Sequence, residues 1–218
     1  MVETHSSPRK LVAVDIVDYS RLMGINEDHT IAVLQRFRRK IFYPLIEKHH
    51  GRLANAAGDS HLIEFPSAVD ALQLAREFQS EVASRNSGVS DDLKVVYRMG
   101  VNLGDVCVDE SDLLGDGVNM ACRIESQAPP GGIYVSRSIR DQVRDRLDID
   151  LVDHGEIQVK NIARPVSMFE ARVSGFRRNG RTSSITSRGC WFGISCIGHD
   201  DFYRHRFDEN FRTDTFTL

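Results

Sequence analysis

Residues 10–17 read KLVAVDIV, an apolar run interrupted by a single acid, Asp15, and followed by Asp18-Tyr19-Ser20. A run this short and this apolar predicts a buried strand that ends in a turn. Downstream, Asn26 can cap an amphipathic helix through Ile31, Leu34, Phe37, Ile41 and Leu45, with Gly51 stopping it after His49 and His50. Residues 52–55, the turn Gly58-Asp59-Ser60 and residues 61–65 read as a hairpin. Ser67 with Asp70 opens a second helix, whose apolar face is Val69, Leu72, Ala75, Phe78 and Val82. Val95, Tyr97, Met99, Val101 and Leu103 then alternate with polar residues, the period of a half-buried strand. The order is βαββαβ, which predicts an α/β (α+β) domain with a ferredoxin-like core: an antiparallel sheet carrying both helices on one face.

Working outward, residues 105–109 suggest another strand, 117–127 a helix, and Pro129-Pro130-Gly131-Gly132 a turn into a strand at 133–135. Ser136 can cap a helix with Ile139, Val143 and Leu147 on one face, and strands at about 149–159 and 166–173 complete a C-terminal αβαβ extension. Residues 1–9 form a short leading segment and 10–173 one domain. The tail, 174–218, is rich in Arg, Ser, Thr, Gly and Asp, and its aromatic residues follow no period, so it is expected to be disordered or irregular.

The 218 residues are 41% hydrophobic with a net charge of -3, enough for one substantial core and without the basic excess of a nucleic-acid binder. Arg177, Arg178 and Arg181 are offset by Asp200, Asp201, Asp208 and Glu209, so no nucleic-acid partner is expected. No apolar run approaches the roughly 20 residues of a membrane span, and residues 1–10 lack the apolar stretch of a signal peptide, so the expectation is a cytoplasmic protein. Cys107, Cys122, Cys190 and Cys196 have no CxxC spacing, and Cys107 and Cys122 read as small core residues. Gly115-Asp116-Gly117 lacks the third glycine of a dinucleotide fingerprint, and neither a GxxxxGK loop nor an HExxH helix occurs. The adjacent His49 and His50 read as a polar helix end.

Asp15 lies inside an apolar strand, where an unpaired carboxylate costs several kcal/mol of desolvation. Asp59 lies in a hairpin turn that pairs beside that strand in a split βαβ unit, so the two carboxylates can converge on one edge and suit a hard divalent cation. The same residues also read as an ordinary turn aspartate and as an N-cap or a salt bridge.

Five stretches carry a resemblance: VDIVDYSRL at 14–22, GDSHLIEF at 58–65, RMGVNLGDV at 98–106, LGDGVNMACRIE at 114–125 and VKNIARPV at 159–166. In order and spacing they resemble the motifs of class III adenylate and guanylate cyclases, above all the bacterial forms of rhizobia. The resemblance implies two divalent metal ions, Mg²⁺ or Mn²⁺, held by Asp15, Asp59 and the backbone carbonyl of Ile16. It implies that Asn119 and Arg123 position the ribose and the α-phosphate, and that Lys160 contacts the phosphates. It also implies a turn at Tyr19 and Ser20 whose amides cradle the triphosphate, and a homodimer that makes cyclic AMP from ATP.

For the base, Asp112 matches the family's adenine-reading aspartate, whereas Asn55 stands where a lysine is usual. An amide at Asn55 can still donate to adenine N1, and Asp112 would repel guanine O6, so ATP is favoured over GTP. Asp18 stands where the family has glycine, and Gly132 where many mammalian domains have arginine. These departures leave a catalytically weak cyclase-homology domain, or a guanylate cyclase, as alternatives.

Overall fold

The computed structural model describes residues 6–109, 112–159 and 164–172, without the side chains of Asp109 and Asp112. The tail 174–218 and Lys160 therefore lie outside the described residues. The elements are β1 (Ser6–Ile16), α1 (Tyr19–Ile25), α2 (Glu27–Phe37), a π-helical turn (Arg38–Phe42), α3 (Tyr43–Lys48), β2 (Arg52–Ala57), β3 (Ser60–Phe65), α4 (Ala68–Arg85), β4 (Tyr97–Asp109), β5 (Asp112–Leu114), α5 (Asp116–Gln127), β6 (Ile133–Ser136), α6 (Arg137–Val143), β7 (Leu151–Ile157) and β8 (Val166–Ala171).

These strands form one sheet in the order β2-β3-β1-β4-β6-β8-β7, with β5 folded back on β4. The first four strands are antiparallel throughout, which is the expected ferredoxin-like arrangement. Among the described residues, the β4–β6 pair alone is parallel.

Alternation along β1 divides the molecule into two layers. Val12, Val14 and Ile16 join the main core with Leu34, Phe37, Ile41, Leu72, Phe78, Ile139 and Val143, so α2, α3, α4 and α6 all cover one face. Leu11 and Ala13 point the other way and pack with Leu62, Val106 and Ala121, which puts α5 on the opposite face. Asp15 shares the parity of Leu11 and Ala13 and belongs to the α5 face.

Several expected elements take a different form. Residues 105–109 continue β4 rather than starting a new strand, whereas the two expected closing strands are present as the antiparallel pair β7–β8. The expected turn at Tyr19 and Ser20 is instead the start of α1. Asn26 does cap α2 by accepting from the His29 amide, but the expected single long helix changes pitch at the π turn. Helix α3 ends with His50 in the left-handed conformation at φ 57°, one residue before Gly51. Gly51 has another reason to be glycine: a Cβ there would stand 2.6 Å from the Phe65 ring. His49 is not part of a polar helix end but is buried, with Nε2 3.2 Å from Glu77. Cys107 and Cys122 are half-buried rather than core. Ser136 precedes α6, but its hydroxyl pairs with that of Ser138 at 2.9 Å.

Helix α5 approaches β4 closely enough to exclude side chains. A Cβ at Gly104 would lie 2.7 Å from the Gly117 Cα, and one at Gly100 would collide with the α5 backbone at Ala121 and Glu125. Those atoms are main chain and cannot move aside without displacing the helix. Gly100→Ala should therefore lower the unfolding free energy by about 2–4 kcal/mol, measured by urea titration of circular dichroism.

Candidate functional site

Asp15 sits next to the end of β1, directly opposite Arg98 of β4. The Arg98 Nη2 donates to Asp15 Oδ2 at 2.9 Å, and the Ser60 hydroxyl donates to Oδ1, also at 2.9 Å. The acid in the apolar strand is thus held from both neighbouring strands, and the salt bridge left open by the sequence is present. Arg98 reaches further, to α5, where its Nε stands 2.6 Å from Glu125 Oε1 as an ion pair. Burial raises the Glu125 carboxyl to about 8; Arg98 pulls it down, and the charges of Asp15 and Asp59 push it up.

Asp59 occupies the two-residue turn between β2 and β3, after Gly58 at φ 60°. Arg38, on the π turn, fastens this turn by donating to the Gly58 carbonyl at 2.6 Å. Burial raises the Asp59 carboxyl, and the second cause is the negative charge of Asp15. The two carboxylates therefore lie near enough to repel each other, which is the electrostatic condition a bound cation relieves. Both supply hard oxygen donors, and the Ile16 main-chain carbonyl follows Asp15 directly. Among the described residues no group of three or more His, Cys, Asp or Glu side chains is arranged for a metal. Two carboxylates and a main-chain carbonyl are hard oxygen donors of the kind Mg²⁺ accepts, with water or phosphate filling the rest of its shell.

Behind the turn, His61 faces the main core, with its ring 5.0 Å from Phe42 in edge contact. Burial lowers it to about 4, with the Arg38 charge acting in the same direction. It is a neutral packing residue.

Asn55 reaches the site face through a defect in the ladder. Leu53 pairs with Ile63 but Asn55 with Leu62, so one residue is bulged out between them. Strict alternation would have turned Asn55 toward the main core; the bulge sets it opposite Leu62, on the face of α5 and Asp15. Asp112 opens β5, paired with Asp109 at the tip of the β4–β5 hairpin. Tyr19 and Ser20 are the first two residues of α1.

Asn119 and Arg123 do not meet the aspartates. Gly117, Ala121, Ile124 and Glu125 form the buried side of α5, and Asn119 is exposed on the side away from the sheet. Arg123, one turn on, shares that outward face. The body of the helix, about 10 Å across, separates this pair from the sheet face below. Lys160 lies outside the described residues.

Sequence reasoning gave no role to Arg98, Ser60 or Glu125. The signal was available in the residues between the apolar positions of β4: Arg98, Gly100, Asn102 and Gly104 form one face with two glycines and one cation. That pattern marks a close backbone approach with a charge at its end.

The fold matches a known class. A family model described as the adenylate and guanylate cyclase catalytic domain matches residues 9–172. The chain is 45% identical over 159 residues to the Rhizobium meliloti protein named "Putative adenylate cyclase 3", covering 73% of this chain and 27% of that protein. It thus spans about a quarter of that relative's length. A crystal structure of an adenylate/guanylate cyclase/hydrolase from Silicibacter pomeroyi superposes with a TM-score of 0.72 at 32% identity, covering 77% of this chain and 97% of the other. The guanylyl cyclase Cya2 shares the fold, with a TM-score of 0.66 at 22% identity over 81% and 97%. The chain belongs to the adenylate and guanylate cyclase catalytic domain family, the class III nucleotide cyclases.

Asp18 is the residue with glycine's conformation in this site: φ 54°, ψ 37°, at the N-terminus of α1. A non-glycine residue there is strained, although Asp tolerates the left-handed region better than most. Asp18→Gly should raise stability by up to about 1 kcal/mol in a denaturant titration, the relief being partly offset by the greater freedom of glycine in the unfolded chain.

Proposed function

We propose that this domain is an adenylate cyclase that converts ATP to 3′,5′-cyclic AMP and pyrophosphate with two divalent metal ions at a homodimer interface. The reading rests chiefly on the division of the matched residues between two surfaces. Asp15 and Asp59 lie on the sheet face, while Asn119 and Arg123 lie on the outer side of α5, so one copy supplies two half-sites that a second copy completes. A two-fold axis then makes two equivalent whole sites.

In each site the ribose 3′-hydroxyl gives its proton to water, its oxygen bonds to the α-phosphorus, the bond from that phosphorus to the bridging oxygen breaks, and pyrophosphate leaves with the electron pair. Asp15, Asp59 and the Ile16 carbonyl would hold the metal ions, Mg²⁺ or Mn²⁺, which when bound would supply Lewis-acid activation of the hydroxyl and offset the charge of the leaving pyrophosphate. Asn119 of the other copy orients the ribose, its Arg123 takes the charge on the α-phosphate, and Lys160 contacts the phosphates. The amides of Tyr19 and Ser20 cradle the triphosphate.

Asn55 and Asp112 read the base: the amide donates to adenine N1, and the carboxylate accepts from the N6 amino group. Asp112 would repel guanine O6, which favours ATP over GTP. Residues 10–173 act as the catalytic unit, with 174–218 appended, and an ATP substrate suits a cytoplasmic setting. No helix among the described residues is long and apolar enough to cross a membrane. A second reading, a weakened cyclase-homology domain, draws on Asp18: its strained backbone and negative charge stand at the start of α1, beside the amides proposed to receive the triphosphate.

Complementation tests the shared site. One protomer carries Asp15→Ala and Asp59→Ala, the other Asn119→Ala and Arg123→Ala, and each homodimer should be inactive. In a mixed dimer one site collects every lesion and the other is intact. With random assortment half the dimers are mixed, so the mixture should recover about one quarter of wild-type activity. Subunit exchange shown by tagged co-purification, with no recovered activity, would contradict the shared site.

A further inference from the structure

The acids at the end of β1 are more numerous than the cations that touch them. Asp15, Asp59 and Glu125 influence one another electrostatically, and Arg98 makes direct contact with two of them. Its two ends do different work. The Nε side, nearer the backbone, faces Glu125 at 2.6 Å, whereas Nη2, at the tip, donates to Asp15 at 2.9 Å. Asp15 is 16% exposed and Arg98 32%, so the contact is partly shielded from solvent and opens toward it. Arg38, the other nearby cation, is engaged with the Gly58 carbonyl. Among the described residues, Asp15 without Arg98 would keep the Ser60 hydroxyl as its one hydrogen-bond partner, beside two other carboxyl groups.

We propose that Arg98 is a positioning residue that acts as a stand-in cation: its tip holds Asp15 in the metal-free domain and gives the carboxylate up to the incoming divalent ion, while Glu125 keeps the guanidinium in place. This rests on the reading of Asp15 as a metal ligand. Asp15 Oδ2 cannot serve the guanidinium and a divalent ion equally, because both are cations competing for one oxygen. Arg98 therefore stabilises the metal-free fold and weakens metal binding at the same time. A salt bridge with only a structural role would do the first and not the second.

Removal of the tip contact separates the two roles. Arg98→Met deletes the cation. Arg98→Lys keeps the charge, but its ammonium is one bond shorter than the guanidinium tip, so it stays beside Glu125 and falls short of Asp15. Binding of Mn²⁺ to the nucleotide-free protein is followed by loss of the free-ion electron paramagnetic resonance signal. Thermal midpoints are measured in parallel with metal removed by chelation.

Arg98→Met should lower the metal-free midpoint and tighten Mn²⁺ binding about tenfold, and Arg98→Lys should tighten it about threefold, the scale of one charge-assisted hydrogen bond. Asp15→Asn should lose most Mn²⁺ binding, and adding Arg98→Met to it should restore nothing. Should Arg98→Met fail to fold by circular dichroism, Arg98→Lys decides alone, since a general field effect leaves that charge-conserving variant at the wild-type value. Unchanged or weaker binding in the Arg98 variants, with binding lost in Asp15→Asn, overturns the stand-in role and leaves the metal reading intact. Wild-type affinity in Asp15→Asn overturns the metal reading itself.

Discussion

Everything at the site depends on how closely α5 lies against β4. The contact is made backbone to backbone, between Gly100 and Gly104 on the strand and Gly117, Ala121 and Glu125 on the helix. Because no side chain intervenes, the helix cannot roll or slide without a collision, and its register on the strand is fixed. That register brings Glu125 to Arg98, and Arg98 to Asp15. A side chain at either strand glycine would lift the helix and break the chain of contacts, even though neither glycine touches the acids.

The same packing decides which residues look outward. With Gly117, Ala121, Ile124 and Glu125 committed to the sheet, helical periodicity leaves Asn119 and Arg123 on the outer side. The sheet face bearing Asp15 and the helix face bearing Asn119 are then two separate surfaces of one chain. The proposed reaction draws on both sets, and a second copy is the means we propose for bringing them together. The β2 bulge acts on the same surface from the other side, turning Asn55 from the core face toward the acids.

Most of the architecture was legible because it follows from period. The apolar run of β1, the alternation in β4 and the three-and-four spacing of the helices gave the βαββαβ order and the antiparallel arrangement of β2, β3, β1 and β4. The misses have physical causes. The π turn at 38–42 leaves the apolar spacing almost unchanged, so residues 26–48 read as one regular helix. A short helix such as α1 has too few turns to show a period, and its start looked like a turn because Asp18 adopts a turn residue's conformation. The bulge at residues 53–55 has no signature in composition. At the site, Asp15 and Asp59 stood out as acids in an apolar strand and a tight turn. Arg98 did not, because its partners come from elements 83 residues away on β1 and 27 on α5. The oddity of Asp18 was visible as an aspartate in a glycine's place, and its positive φ is the physical reason glycine belongs there.

The central claim is a chemical one, that this domain closes the ribose 3′-oxygen onto the α-phosphorus of ATP. Its most direct measurement is to incubate the purified protein with Mn²⁺ and either ATP or GTP and quantify cyclic AMP and cyclic GMP by chromatography. Cyclic AMP should form in excess over cyclic GMP, and should disappear with Asp59→Ala. Neither cyclic product, with ATP binding intact, would contradict the account.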